Sequence, residues 1–163
     1  MTQSVTLRKM NDDEYVLWRE WSLADYAKEL VASGQCIQSD AREKAESDFS
    51  QGLKNGLSTL NHHVMVAENA DAVPVGMIWY QTENPKFAFI ADFAVYQEHR
   101  RMGYGYAILT QLENTLRANA IPAMVLHVFE HNISAIKLYE KFGFVKRQVD
   151  GADAGSMYMQ KQI

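Results

Sequence analysis

The stretch from Ile90 to Ala107 narrows what this chain can fold into more than any other. It reads I-A-D-F-A-V-Y-Q-E-H-R-R-M-G-Y-G-Y-A: an apolar run, a charged turn, then two glycines opening a helix-periodic segment. Tyr104, Ile108, Leu112 and Leu116 continue that segment at helical intervals, widened by Ala107 and Leu109, so the run reads as a strand feeding a helix. Arg100, Gly103 and Gly105 stand in the spacing R-x-x-G-x-G. At a helix start the backbone N–H groups lack intrahelical partners, the dipole is positive, and glycine lets a ligand approach the main chain. A phosphate-bearing ligand suits such a loop. Its cradle would be the main chain from Arg101 through Met102, Gly103, Tyr104, Gly105 and Tyr106, with Arg100 and Arg101 adding charge. The P-loop lysine pattern and the three-glycine dinucleotide fingerprint are both missing, which sets aside the usual mononucleotide and dinucleotide folds.

The remaining segments fall into order around that loop. Val5 to Met10 predicts a first strand, and Asn11 with Glu14 three residues later predicts a capped helix start. The helix carries Tyr15, Trp18, Trp21, Leu23, Tyr26, Ala27 and Leu30 as far as Ser33-Gly34, too many apolar residues for one stripe. A second helix is expected from Ser39 to about Leu57, with Ala41, Ala45, Phe49, Leu53 and Leu57 on its apolar face. Strands follow at His63–Glu68, Val75–Gln81, Phe87–Tyr96 and Ala123–Phe129. Asn132–Phe142 reads as a helix closed by Gly143. Phe144–Gln148 and Ser156–Gln160 complete the strand set, joined by a turn over Asp150–Gly155. No repeat or linker divides residues 1–163, so one mixed α/β domain is expected.

Composition bounds the partners. The formal charge of −4 and a pI near 5.7 argue against nucleic acid, which selects a basic surface. A single cysteine, Cys36, excludes an internal disulfide framework, and no local pattern activates it. The chain shows no membrane-length apolar stretch and no basic-then-apolar leader at its start, so no membrane association and a cytoplasmic setting are expected. His127 and His131 straddle a strand end rather than sharing a helical face, which leaves no metal-ligand pattern. An aromatic-rich surface or the C-terminal strand leaves a homodimer open.

Downstream of the loop, Asn132, Ala135, Tyr139 and Gly143-Phe144 stand as N-x-x-A-x-x-x-Y-x-x-x-G-F. With Val95 and the R-x-x-G-x-G loop, this arrangement resembles the GNAT superfamily of acyl-CoA-dependent N-acetyltransferases, across Phe89 to Phe144. The phrase L-H-V-F-E-H-N from Leu126 to Asn132 looks like a mostly uncharacterised bacterial subgroup. The resemblance implies a GNAT-like α/β fold: a mixed, mostly antiparallel twisted sheet of about six to seven strands flanked by about four helices. It implies acetyl-CoA as acyl donor and direct transfer, in a ternary complex, to a primary amine of a small molecule or peptide. A catalytically silent CoA sensor or partner-binding module on the same fold is the alternative.

The resemblance also distributes roles. A bulge in the central strand would free N–H groups at Phe93, Ala94 and Val95 for the thioester and pantetheine arm. Tyr139 matches the family's tyrosine; a phenol titrating near ~10 can protonate a thiolate whose thiol titrates near ~8.5. Asn132, beside Ala135, would orient the cofactor arm, cap its helix, or do both. The helical pair, with Trp18, Trp21 and Tyr26, would lie over the acceptor, although packing alone also explains such aromatics. Where some members carry a glutamate, this chain has Ala91, so the nearby carboxylate is Asp92. Asp92 is a candidate base, an amine ligand, or a buried structural group, and His127 is a second candidate for base or acceptor contact.

Overall fold

The middle strands are apolar on both faces, so they need cover from both sides. In the computed structural model, which describes residues 2–151 and 155–163, two helical layers supply it. The chain runs β1 (Thr6–Lys9), α1 (Asp12–Ala32), α2 (Gln38–Gly52), β2 (His62–Glu68), β3 (Pro74–Gln81) and β4 (Ala88–Val95). It continues through α3 (Tyr104–Ala118), β5 (Ala123–Phe129), α4 (Ile133–Phe142), β6 (Val145–Arg147) and β7 (Ser156–Gln162). The strands form one 7-stranded sheet in the order β1-β2-β3-β4-β5-β7-β6. One core gathers Ile108, Leu112 and Leu116 of α3 and Phe142 of α4 with Met124 and Leu126 of the sheet. The other packs Trp18, Leu23 and Leu30 of α1 and Phe49 of α2 on Val66, Met77 and Trp79. This is the mixed, mostly antiparallel sheet with four helices that the motifs implied.

Every neighbouring pair is antiparallel except β4 with β5. That parallel pairing lasts for Ala88↔Met124, Phe89↔Val125 and Ile90↔Leu126, and then stops. From Ala91 and His127 onward the two strands part. The parting coincides with a bulge: Trp79 is opposite Asp92 and Tyr80 opposite Ile90, leaving Ala91 without a partner on β3. An extra residue on one strand bends it and strengthens its twist, which carries the end of β4 away from β5. The bulge expected from resemblance is present.

Several boundaries differ from the sequence reading. The second helix stops at Gly52 rather than Leu57: the backbone leaves helical geometry at Leu53 (φ −103, ψ 66), and the ring of Trp79 lies 3.0–3.1 Å from where a Cβ on Gly52 would stand. A separate 3-10 turn then covers Gly56–Ser58. The last pairing is shorter on one side, with β6 confined to Val145–Arg147 because Phe144 turns into the core. Part of the expected turn over Asp150–Gly155, residues 152–154, lies outside the described residues. At α1 the capping box forms as expected: Asn11 Oδ1 accepts from the Glu14 N–H at 2.8 Å, and Glu14 Oε1 from the Asn11 N–H at 3.0 Å. Among the described residues no helix is long and apolar enough to cross a membrane.

Candidate active site

The glycine loop joins the end of β4 to α3. A 3-10 turn over Gln97–His99 ends at Arg100, whose Nε donates to the Val95 carbonyl at 3.0 Å and ties the loop back to β4. Arg101 follows with φ 61, and Gly103 takes φ 90 at the N-cap of α3, a left-handed conformation that a side chain disfavours. The first helical bond of α3 runs from Ala107 N–H to the Gly103 carbonyl at 3.2 Å. Upstream of it, no backbone N–H from Arg101 to Tyr106 reaches a backbone acceptor among the described residues. Six consecutive donors at a helix N-terminus make an anion cradle. Gly105 also lets α3 close on its neighbours, since a Cβ there would meet Leu138 Cδ2 at 2.9 Å and Val95 Cγ2 at 3.7 Å.

Between this loop and the helical pair runs the free edge of β4. Tyr96 N–H bonds to the Val75 carbonyl on the β3 side at 2.9 Å, so by strand alternation the N–H groups of Phe93 and Val95 point to the open side while that of Ala94 faces β3. The Phe93 N–H already has a partner, Asp92 Oδ1 at 2.9 Å. The other Asp92 oxygen accepts from Ser22 Oγ at 2.7 Å and from Trp18 Nε1 at 3.0 Å, both on α1. Burial nevertheless pushes the Asp92 carboxyl above its ordinary range; the three hydrogen bonds pull the other way, and the charge of Asp25 adds to the rise.

Asp92 opens into a cavity of about 680 Å³ lying between the helical pair and the parted ends of β4 and β5. Tyr139 of α4 reaches it from the far side. Its side chain is 8% exposed, and its hydroxyl has no hydrogen-bond partner among the described residues. Burial, and then the Asp92 charge, raise the phenol well above its usual value. Asn132 lines the cavity beside it while its Oδ1 caps α4 through the Ala135 N–H at 3.4 Å, so the capping role is present. His127 enters from β5, edge-on to Phe129 and Tyr158 at 5.0 and 5.3 Å.

Of the residues named from sequence, Asp92, Phe93, His127, Asn132, Tyr139 and Tyr26 converge on this cavity. Tyr26 contributes a ring wall, and its hydroxyl donates to Asp48 at 2.8 Å. Trp18 and Trp21 do not line it. Trp18 is buried among Tyr15, Phe49 and Trp79, and its contribution is the indole hydrogen bond to Asp92. Trp21, 42% exposed, shares the outer stripe of α1 with Leu17, which is 73% exposed. Ala94, Val95 and Arg100 to Tyr106 lie along the β4 end and loop rather than in the cavity. The sequence reading missed Ser22, Asp25, Glu29 and Asp48, which line the helical wall, and Glu83 with His62 at the sheet wall. There Trp79 Nε1 donates to His62 Nδ1 at 3.0 Å, leaving Nε2 to carry the proton and face Glu83 at 3.3 Å. A helical interval from Trp18 to Ser22 and on to Asp25 and Glu29 was the available signal.

Known proteins carry the same pattern. The acetyltransferase (GNAT) family model matches residues 18–144. Two Bacillus subtilis proteins described as uncharacterized N-acetyltransferases are similar in sequence. YycN is 33% identical over 149 residues, 90% of this chain and 96% of that protein, and YdgE is 30% identical over 147 residues, 88% and 94%. A crystal structure of Bacillus subtilis YycN aligns with a TM-score of 0.86 at 32% identity, covering 92% of this chain and 98% of that one. The PaiA N-acetyltransferase of Thermoplasma acidophilum, solved in complex with coenzyme A, shares the fold at 21% identity and a TM-score of 0.71, covering 98% and 99%. The cradle of unbonded N–H groups and the open β4 edge fit the pyrophosphate and the amide-bearing arm of coenzyme A. The chain therefore belongs to the acetyltransferase (GNAT) family and is an N-acetyltransferase whose co-substrate is acetyl-CoA.

Proposed function

We propose that this enzyme moves the acetyl group directly to a primary amine of a small molecule or peptide, with both substrates bound together and no acyl-enzyme stage. The convergence of Asp92 and the unpartnered Tyr139 hydroxyl on one cavity, at the point where β4 and β5 part, carries the reading. Bound acetyl-CoA supplies a carbonyl already activated by its thioester. The protein has to hold that group and take one proton from the ammonium before attack. The nitrogen loses a second as the tetrahedral adduct collapses to the amide, and one returns to sulfur, so that one proton is released to solvent overall.

The main chain from Arg101 to Tyr106 holds phosphate oxygens, backed by the α3 dipole, with Arg100 and Arg101 at the loop edge. The outward N–H of Val95 pairs with the arm, and the Phe93 N–H donates to the acyl oxygen once Asp92 Oδ1 releases it. Asp92, whose upward-shifted carboxyl is a better base than an ordinary aspartate, takes the ammonium proton directly or through water. Its second oxygen stays fixed by Ser22 and Trp18. Tyr139 stays a neutral phenol through physiological pH, donates to the sulfur as negative charge develops there, and is reprotonated from solvent. His127 and Tyr26 wall the acceptor. The setting is cytoplasmic.

An acetyl-CoA titration by calorimetry, followed by an amine panel with thiol release recorded, tests this. The expected outcome is saturable binding and amine-dependent release. In Tyr139→Phe, release should fall by about a hundredfold or more with acetyl-CoA affinity retained. Binding with no release from any amine would replace this reading with CoA sensing.

A further inference from the structure

α1 buries one side and leaves the opposite side uncovered. Trp18, Ser22, Leu23 and Leu30 are buried, while Val16, Leu17, Trp21 and Val31 are exposed, Leu17 to 73%. Among the described residues no other helix or strand carries more than one large exposed apolar side chain, and single ones are ordinary on a monomer's surface. Asp13, Leu17, Trp21, Ala24, Lys28 and Val31 follow at intervals of three and four, so they form one stripe along the outer face of the helix. The cavity-lining residues Ser22, Tyr26 and Glu29 lie off this stripe.

The charges along the stripe decide what can cover it. Asp13 near its start and Lys28 near its end have no hydrogen bond or ion pair among the described residues. They stand at equal heights, about 11 Å by helical rise, on either side of a point midway between Glu20 and Trp21. Turned by half a revolution about an axis through that point, the stripe meets itself antiparallel, with Asp13 against Lys28 at both ends. Leu17 then falls on the small Ala24, and Trp21 on Glu20, whose charge Arg42 already offsets at 2.6 Å. Antiparallel helix dipoles attract as well. A parallel pairing sets Asp13 on Asp13 and Lys28 on Lys28, and is repulsive at both ends. We infer that the occupant is a second copy of this chain, packed α1 against α1 in an isologous, antiparallel two-fold dimer. Each copy keeps Trp18 and Ser22 turned inward on its own Asp92, so each site stays complete. One 21-residue helix, about 31 Å long, covers less than a standard interface. The dimer is therefore transient, with a Kd on the order of tens of micromolar.

Sedimentation velocity on the full chain, from about 1 to about 500 μM at low and at raised salt, tests this. The expected result is a monomer–dimer equilibrium that weakens as salt is added. Leu17→Asp alters a side chain already in water, so it should leave Tm unchanged while weakening association by about tenfold or more. Asp13→Lys and Lys28→Asp each set like charges together at both ends of the pairing, and each should weaken it by about tenfold. Mixed in equal amounts, these two variants bring opposite charges together at both ends, and their heterodimer should associate about as tightly as the wild type. A loss of helix stability in either variant cannot produce that recovery. A wild type that stays monomeric throughout overturns the inference and leaves the stripe to a different partner. A dimer that persists in Leu17→Asp overturns it too, by moving the contact to another surface such as the exposed β6 edge. So does a mixture that associates no better than either variant alone.

Discussion

Gly76 is the position where the structure makes its most quantitative demand. It lies on β3 opposite Val95, beside the part of β4 that borders the glycine loop. A Cβ there would stand 2.4 Å from the Ala94 carbonyl oxygen and 2.9 Å from Cδ1 of the fully buried Ile108. Carbon–oxygen contacts between strands begin near ~3.3 Å, so Gly76→Ala requires a retreat of roughly 1 Å. The obstacle on the β4 side is main chain, which no rotamer change can move. Overpacking a well-packed interior costs about 1–3 kcal/mol, and a backbone clash belongs at the upper end of that range. In a chain of this length each kcal/mol is worth about 2–4 °C, so ~3 kcal/mol predicts a fall in Tm of roughly 6–12 °C. The displaced segment, Ala94–Val95, is also the edge along which the acyl donor would lie. Acetyl-CoA affinity should therefore fall together with Tm. Scanning calorimetry and an acetyl-CoA titration on the variant measure both. A Tm within about 2 °C of the wild type, given that conversion, with unchanged affinity, would refute the close β3–β4 approach and the placement of the donor along it.

Other perturbations address the carboxylate. Ser22→Ala removes one of two donors to Asp92 Oδ2, so the carboxyl should rise further and the acidic limb of kcat/KM should move to higher pH. The lost charge-assisted bond should cost about 1.5–3 kcal/mol in urea unfolding. Asp92→Asn should abolish turnover while changing how stability depends on pH. Because burial raises the folded-state carboxyl, the wild type is favoured below the unfolded value near ~3.9 and loses about 1.4 kcal/mol per pH unit between the unfolded and folded values. The variant's stability relative to the wild type should therefore climb across that window and level off above it, read by urea melts at stepped pH. A flat difference would mean the carboxylate is not desolvated. Gly103→Ala has room for its methyl, with Gln3 Cγ nearest at 3.5 Å, but its φ of 90 should cost about 1–2 kcal/mol and weaken acetyl-CoA binding.

How much of this was legible in the sequence depended on the range of the interactions. The glycine loop, the capped start of α1 and the α4 motif are local, set by spacings of three to seven residues, and the chain folds there as those spacings require. The environment of Asp92 is not local: its two side-chain donors lie 74 and 70 residues away. Nothing in the run A-D-F-A-V distinguishes an aspartate held by Trp18 and Ser22 from an unsupported one. The aromatics of α1 were equally undecided, because the rotation that buries Trp18 and exposes Trp21 is fixed by which face meets Phe49 and Trp79. The end of α2 was misread as well: Gly52, its last helical residue, lies under a ring that arrives from β3, a contact no local spacing shows.

The order of the strands has a consequence for how such an enzyme can diversify. β1 and β2 are direct neighbours in the sheet, yet the whole of α1 and α2 is spliced between them. In topological terms the helical pair, proposed above to wall the acceptor, is an insertion within a strand hairpin, whereas the glycine loop proposed to hold the cofactor is woven into the crossover that makes β4 and β5 parallel. Changes in length or sequence along the spliced segment leave every strand neighbour where it was, and lengthening such a loop adds only slowly to its closure entropy. The crossover has no such latitude, because shifting it would move the cradle and the parted strands together. With the acceptor placed as proposed, its preference can drift in this architecture while the donor side stays fixed, and grafting the α1–α2 excursion of a relative between β1 and β2 is the direct test of that division.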